Sequence, residues 1–224
     1  MYEDELVEII KENTNYKLKN IYFNIQNDEI IIRNIPNINS KRQKEIIQLI
    51  KYEIGDHISL DLQNYVIKYK KIINTKGKGS IQGILFPKKY VDICKSISEK
   101  LNIKKKHLYI NFDIIQKLID MKVIDLLQDD YEKITIIENR KKDMVLNTVC
   151  NKKIIESYVM DKANSQCSIN QFSYDNTYYY GINDDFIKSL QIQKLDLKNK
   201  LVLNNNEKIV DITVDNLLAW GMIV

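Results

Sequence analysis

An α+β protein of two lobes is what the sequence predicts, and three observations predict it. Strand-like and helix-like runs follow one another from Glu29 to Asn111 in the order β-α-β-β-α-β, the ferredoxin-like or split βαβ arrangement. Hairpin patterns dominate again in the second half. Between the two regions lies a polar loop at Gln128-Asp129-Asp130, which divides the chain into lobes over 1–128 and 129–224.

The first element is a short amphipathic helix over Tyr2 to Glu12, with Leu6, Ile9 and Ile10 on one face. Two β-rich stretches follow, Ile21 to Ile25 and Glu29 to Ile35, separated by the turn residues Asn27-Asp28 and closed by Pro36-Asn37. Ser40 is placed to cap a helix from Lys41 to Ile54, whose stripe is Ile46, Ile47, Leu49, Ile50 and Ile54 and which Gly55 stops. Strands are expected over Asn64 to Ile73 and Ser80 to Phe86, with the lysine- and glycine-rich segment 74–79 as their hairpin loop. Pro87 opens a helix running to Leu101, with Val91, Ile93, Cys94, Ile97 and Leu101 inward, and His107 to Asn111 reads as the last strand of the unit.

Beyond it the pattern gives a helix from Asp113 to Leu127 and strands over Lys133 to Glu138 and Asp143 to Cys150, turning through Asn139 to Lys142. A helix is expected over Lys152 to Met160, then strands near Ile169 to Tyr174 and Thr177 to Tyr180, and a helix over Asp184 to Leu190. A strand pair within Lys194 to Leu203 leads to a closing helix from Val214. No internal repeat interrupts this order.

Composition narrows the class of function. The 224 residues, 44% of them hydrophobic, provide for a real core and argue against disorder. The 34 basic and 30 acidic residues leave a net charge of +4, a mixed-sign solvated surface rather than a nucleic-acid footprint. Cys94, Cys150 and Cys167 are odd in number and far apart, so the expectation is reduced thiols, with neither a disulfide framework nor a zinc knuckle. The start, Met1-Tyr-Glu-Asp-Glu5, lacks the basic and apolar regions of a signal peptide. The most apolar tail, Ile212 to Val224, is too short and too polar to span a bilayer, and a soluble cytoplasmic chain is the expectation.

Motifs that would carry chemistry fall short one by one. The cluster Gly77-Lys-Gly-Ser-Ile-Gln-Gly83 lies between two strands and is spaced GxGxxxG, so it fits neither a Walker A loop nor a dinucleotide fingerprint. Within a βαββαβ unit it also invites an RNA-recognition reading, since Lys76, Gly77, Gly79 and Ile81 fit the third-strand signature. Its aromatic slots, however, hold Lys78, Ser80 and Gly83, which cannot stack on bases. His57 and His107 have no acidic or thiol partner at ligand spacing. The readings left are a protein that binds another protein and, as the alternative, an RNA-binding βαββαβ protein; no catalytic, metal or nucleotide-binding residue is assigned.

Three phrases carry a family resemblance. They are Ile31-Ile-Arg-Asn-Ile-Pro36 followed by a helix, Tyr52-Glu53 and Asp61; the strand and helix from Ile81 through Phe86-Pro87-Lys88 to Leu101-Asn102; and the ending Asp215 to Met222 with Ala219 and Gly221. In this order they resemble the PilM family, actin-like proteins of type IV pilus assembly related to FtsA. The resemblance implies a divergent, truncated actin-like fold and an adaptor rather than an enzyme. It further implies a cleft beside the βαββαβ insert that captures the cytoplasmic N-terminal segment of an inner-membrane partner such as PilN. The protein would then be membrane-peripheral only through its partners. Residues flanking that junction, and so implied to touch the partner, are Tyr22, Phe23, Arg33, Ile35, Phe86 and Tyr90. Two phosphate loops mark the family's nucleotide site. The first has no counterpart, since the chain starts at the helix that follows it. The second would fall at Thr135 to Arg140, where no glycine occurs and Glu138 stands in the way of a phosphate, so ATP is not expected as a cofactor.

Overall fold

The computed structural model describes residues 2–14, 17–36, 42–55, 61–73, 79–124, 133–164, 176–195, 200–203, 208–211, 218–219 and 222. The chain begins with α1 (Tyr2–Glu12), β1 (Asn20–Ile25) and β2 (Ile31–Ile35). Next come α2 (Gln43–Gly55), β3 (Tyr65–Ile73), β4 (Gly79–Pro87), α3 (Lys88–Lys100), β5 (Lys105–Ile110) and α4 (Asn111–Asp120). A β-rich region follows: β6 (Ile134–Asn139), β7 (Asp143–Cys150), β8 (Lys153–Asp161), β9 (Thr177–Gly181), α5 (Asp185–Leu190), β10 (Gln193–Lys194), β11 (Lys200–Leu203) and β12 (Lys208–Asp211). The mixed α+β class read from the sequence is the one observed.

Between β2 and β5 the elements come in the expected order, but the sheet they build is not the four-stranded one of a ferredoxin-like unit. Strands β2, β4 and β3 pair antiparallel in that order, whereas β5 leaves them and pairs in parallel with β1, Asn20 opposite Lys105 and Ile25 opposite Ile110. Strand β2, which would have taken β5 on its free side, packs instead beside β8.

Alternation along β4 explains why this small sheet holds two cores. One face carries Ile81, Gly83 and Leu85 and packs on α2 through Ile46, Ile50 and Ile54, all at most 2% exposed. Gly83 lets α2 approach closely: a Cβ at this position would lie 3.0 Å from Ile50 Cγ2. The other face sends Ile84 and Phe86 into the main core, where α4 contributes Phe112, Ile114, Ile115 and Leu118 and the next sheet contributes Ile134, Ile136, Val149 and Ile154. Gln82 on that face is anchored by donating to Ile154 O (3.0 Å), which ties β4 to β8.

The five-stranded sheet runs β10-β9-β6-β7-β8, with β9 parallel to β6 and the β6-β7-β8 run antiparallel. Both faces of β6 and β7 are covered, and even their polar residues Thr135, Glu138, Asn139, Asn147 and Thr148 are buried. The helix expected over Lys152 to Met160 is instead strand β8. Asn151 and Lys152 both adopt the left-handed conformation (φ 53° and 59°), which closes a two-residue hairpin and turns the chain straight back along β7. In α1, Val7 and not the Leu6/Ile9 pair faces inward; Leu6 and Ile9 are 46% and 48% exposed. The inward face is fixed by Ser96 Oγ donating to Glu3 (2.6 Å) and by the Lys100–Asp4 ion pair (2.6 Å), both from α3. The loop at 128–130, the cap at Ser40, the loop 74–78, the strand near 169–174 and most of the closing helix lie outside the described residues.

Candidate functional site

A groove of about 610 Å3 opens where the β1–β2 turn, the short 3-10 turn Leu62–Asn64 and the start of α3 meet. Glu29, Asp61, Asn64, Tyr65, Pro87 and Lys88 are among its lining residues. Asp61 caps the 3-10 turn by accepting from Gln63 N (3.1 Å) and Asn64 Nδ2 (3.0 Å), which sets one wall. The other wall carries Glu29, Lys88 and Lys89, and a closed polar set holds Glu29 in place. Tyr90 donates its hydroxyl proton to Glu29 and accepts from Asn27 Nδ2, while Lys89 pairs with the same carboxylate and lies 5.0 Å from the Tyr90 ring centroid. The hydrogen bond from Lys89, and then that from Tyr90, holds the Glu29 carboxyl below the usual carboxylate range. Burial, followed by Glu29, pushes the Tyr90 hydroxyl upward. Phe86 meets Tyr90 edge-on at 6.1 Å, so the tyrosine ring is fixed from below and its hydroxyl from the side.

The six residues expected at a partner surface do not form one patch. Phe86 and Tyr90 are in contact, Phe86 at 6% exposure beneath the half-buried Tyr90. Tyr22 and Phe23 are half-buried on β1 and alternate in side, with Tyr22 stacked on His107 at 4.8 Å. Arg33 is exposed on β2. Ile35, on the same face of that strand, is buried against α2 at 6% exposure.

A second polar constellation, which the sequence did not single out, joins the ends of β1, β6 and β9 to the start of α4. Glu138 accepts from Arg140 Nε (3.0 Å) and Nη2 (3.1 Å) and from Asn111 Nδ2, and Arg140 Nη1 donates to Gln26 O (3.1 Å). Burial works against the Arg140 charge, but Glu138 and then Asp143 outweigh it and hold the guanidinium protonated. Tyr180 lies buried beside them, its hydroxyl driven well above the ordinary phenol range by burial and by the Glu138 carboxylate. One step along, Asn139 Nδ2 donates to Ile182 O (2.6 Å) and Asp184 Oδ1 (3.1 Å), and Lys162 pairs with Asp184 (2.6 Å). Gly181 makes this closeness possible. Its φ is +94°, and a Cβ there would lie 2.4 Å from Asn139 O. The signal for the pair was present in the sequence, since Glu138 and Arg140 are oppositely charged and two residues apart at the end of a β-branched run. The stretch Thr135 to Arg140, where the family resemblance places a phosphate loop, is therefore strand β6 and its turn, with the Glu138 carboxylate already claimed by Arg140 and Asn111.

Burial pushes the Cys94 thiol up to about 11, the reverse of an activated nucleophile. Among the described residues no group of three His, Cys, Asp or Glu side chains could hold a metal. Strand β4, where the RNA-recognition signature would present its stacking residues, is buried from Ser80 to Pro87.

No protein-family model and no curated protein matches this sequence. Solved structures do match its fold, which is of the actin-like class. One neighbour is a Bacteroides thetaiotaomicron protein with an actin-like ATPase fold (TM-score 0.50, 12% identity, 85% of this chain and 71% of that one). Two others come from a type II secretion system and a type IV pilus biogenesis complex. The cytoplasmic domain of EpsL, an inner-membrane component of the type II secretion system of Vibrio cholerae, matches 99% of this chain and 80% of its own at a TM-score of 0.56 and 9% identity. A chain of the PilM–PilN type IV pilus biogenesis complex matches at a TM-score of 0.54 and 12% identity over 84% of this chain, which spans about half (54%) of that chain's length.

Proposed function

We propose that this chain is a cytoplasmic adaptor at the inner face of the membrane, part of a type IV pilus or related secretion platform, and that it acts by binding rather than by catalysis. The observation that carries the reading is the fold shared over 99% of the chain with the EpsL cytoplasmic domain and over 84% with a chain of the PilM–PilN complex. Its partner is the cytoplasmic segment of an inner-membrane protein of the PilN kind. The segment lies extended in the groove beside Tyr90, with apolar side chains in pockets and its polar groups matched to Glu29, Lys88 and Lys89. Actin-type nucleotide binding is not part of the reading, because the Glu138–Arg140 pair fills the β6 turn.

Calorimetric titration tests this. A synthetic peptide of the PilN cytoplasmic N-terminus is expected to bind and Mg-ATP to give no heat. Tyr90→Ala and Lys89→Ala are each expected to weaken the peptide by roughly 1–2 kcal/mol, the size of an interface anchor. Unchanged affinity in both variants overturns the groove assignment, and nucleotide binding overturns the account of the β6 turn.

A further inference from the structure

The net charge of +4 is almost balanced over the chain, yet its lysines are not evenly spread. At the N-terminal ends of the parallel pair β1–β5 lies a cleft of about 450 Å3, lined by Lys17, Lys19, Lys104 and Lys105 with Asn20 and Asn102, and the described residues that line it include no carboxylate. All four lysines are exposed, and none is in an ion pair recorded among the described residues. The cleft does not end at the lysines. Alternation puts Lys105, His107 and Tyr109 on one face of β5, and the register puts Asn20 and Tyr22 beside them on β1. There Tyr22 stacks on His107 at 4.8 Å (12° between planes) and on Tyr109 at 6.5 Å (15°).

We propose that this face is a second binding surface, separate from the groove at Tyr90, and that it docks on an anionic phospholipid bilayer. Lysine is a compact, strongly hydrated point charge suited to a diffuse negative surface, and no arginine fork for fixed phosphate geometry is present among the lining residues. The rings argue in the same direction. A nucleobase needs an open ring face, but here Tyr22 and His107 cover one another's faces, and tyrosine is an amphipathic ring of the kind enriched at a headgroup layer. The proposal rests on the adaptor reading only in placing the chain beside a membrane, so that lipid contact would orient the groove toward a segment emerging from the same bilayer.

Flotation of the full chain with phosphatidylcholine vesicles, with and without phosphatidylglycerol, tests it. No partner peptide is present, so failure here and failure of the peptide titration are separate results. Binding is expected only with phosphatidylglycerol and is expected to be released by salt. Lys17→Gln combined with Lys105→Gln is expected to lower it about twenty-five-fold, at roughly fivefold per lysine. Tyr22→Ala should lower it further, and Lys188→Gln on α5 should leave it unchanged. The paired lysine variant is checked against the parent by thermal melting, and salt release of the unaltered chain gives a reading that needs no variant. Absence of binding to anionic vesicles overturns the proposal. So does equal binding by the paired variant, or tighter binding of a single-stranded oligonucleotide, an acidic peptide or inorganic phosphate than of the vesicles.

Discussion

Glu138 accepts hydrogen bonds from two nitrogens of Arg140 and one of Asn111 near the end of the buried strand β6, and its own side chain is 12% exposed against 28% for Arg140. Removing one partner strands the other's charge away from water. Glu138→Ala is therefore expected to lower stability by about 3 kcal/mol, the low end for a broken buried pair because Arg140 keeps some solvent; urea unfolding measures it. Replacing both residues by apolar ones of similar size should lose much less. Glu29 gives the contrasting case at the surface. Its folded-state pKa is depressed by Lys89 and Tyr90, so its contribution is present above the ordinary carboxylate value and is lost as pH falls through the folded value. Glu29→Gln should lower stability slightly at neutral pH and flatten the acid limb of the stability-against-pH curve, so that variant and parent converge at low pH. A curve of unaltered slope would remove Glu29 from the account.

At the scale of elements, the turn between β7 and β8 holds two non-glycine residues in the left-handed region, where glycine at the second position is favoured. Lys152→Gly is expected to raise stability by about 0.5–1 kcal/mol, read as an upward shift in Tm, whereas Gly181→Ala should lower it by roughly 1–3 kcal/mol through strain and the contact with Asn139 O. These turns also show what could be read from residues alone. The stripe Ile46, Ile50, Ile54 and the polar turn before Asp143 are local patterns, and both elements lie where those patterns put them. Strand β8 was legible too, since an Asn-x turn precedes β-branched Ile154 and Ile155, but the same residues also fit a helical period. The β1–β5 pairing left no local trace, because the partners are far apart in sequence and parallel strands share no turn. For the same reason the Glu138 network stayed hidden, as Asn111, Gln26 and Arg140 meet only once the chain has folded.

For the whole molecule the fold fixes how far apart its working surfaces lie. The groove beside Tyr90 is built by the β1–β2 turn and α3, while the lysine cleft sits at the opposite end of β1, six residues of strand away. A partner segment that binds the folded chain alone should raise its melting temperature with concentration, by an amount equivalent to about 2.7 kcal/mol at a hundredfold excess over Kd. The polar junction at Glu138 ought to be as well ordered with the peptide bound as without it.

The parallel register of β1 with β5 has one more consequence, which concerns time rather than structure. Asn20 cannot meet Lys105 until everything between them has been synthesised and drawn together, whereas β3 and β4 are adjacent in the chain and pair directly. As the protein emerges from the ribosome, the β2-α2-β3-β4 segment can close first, with α1 and β1 left waiting beside it. Pulse-labelled hydrogen exchange should then show amides of β3 and β4 protected before those of β1, and an early-protected β1 would mean that the chain makes this long-range pairing first.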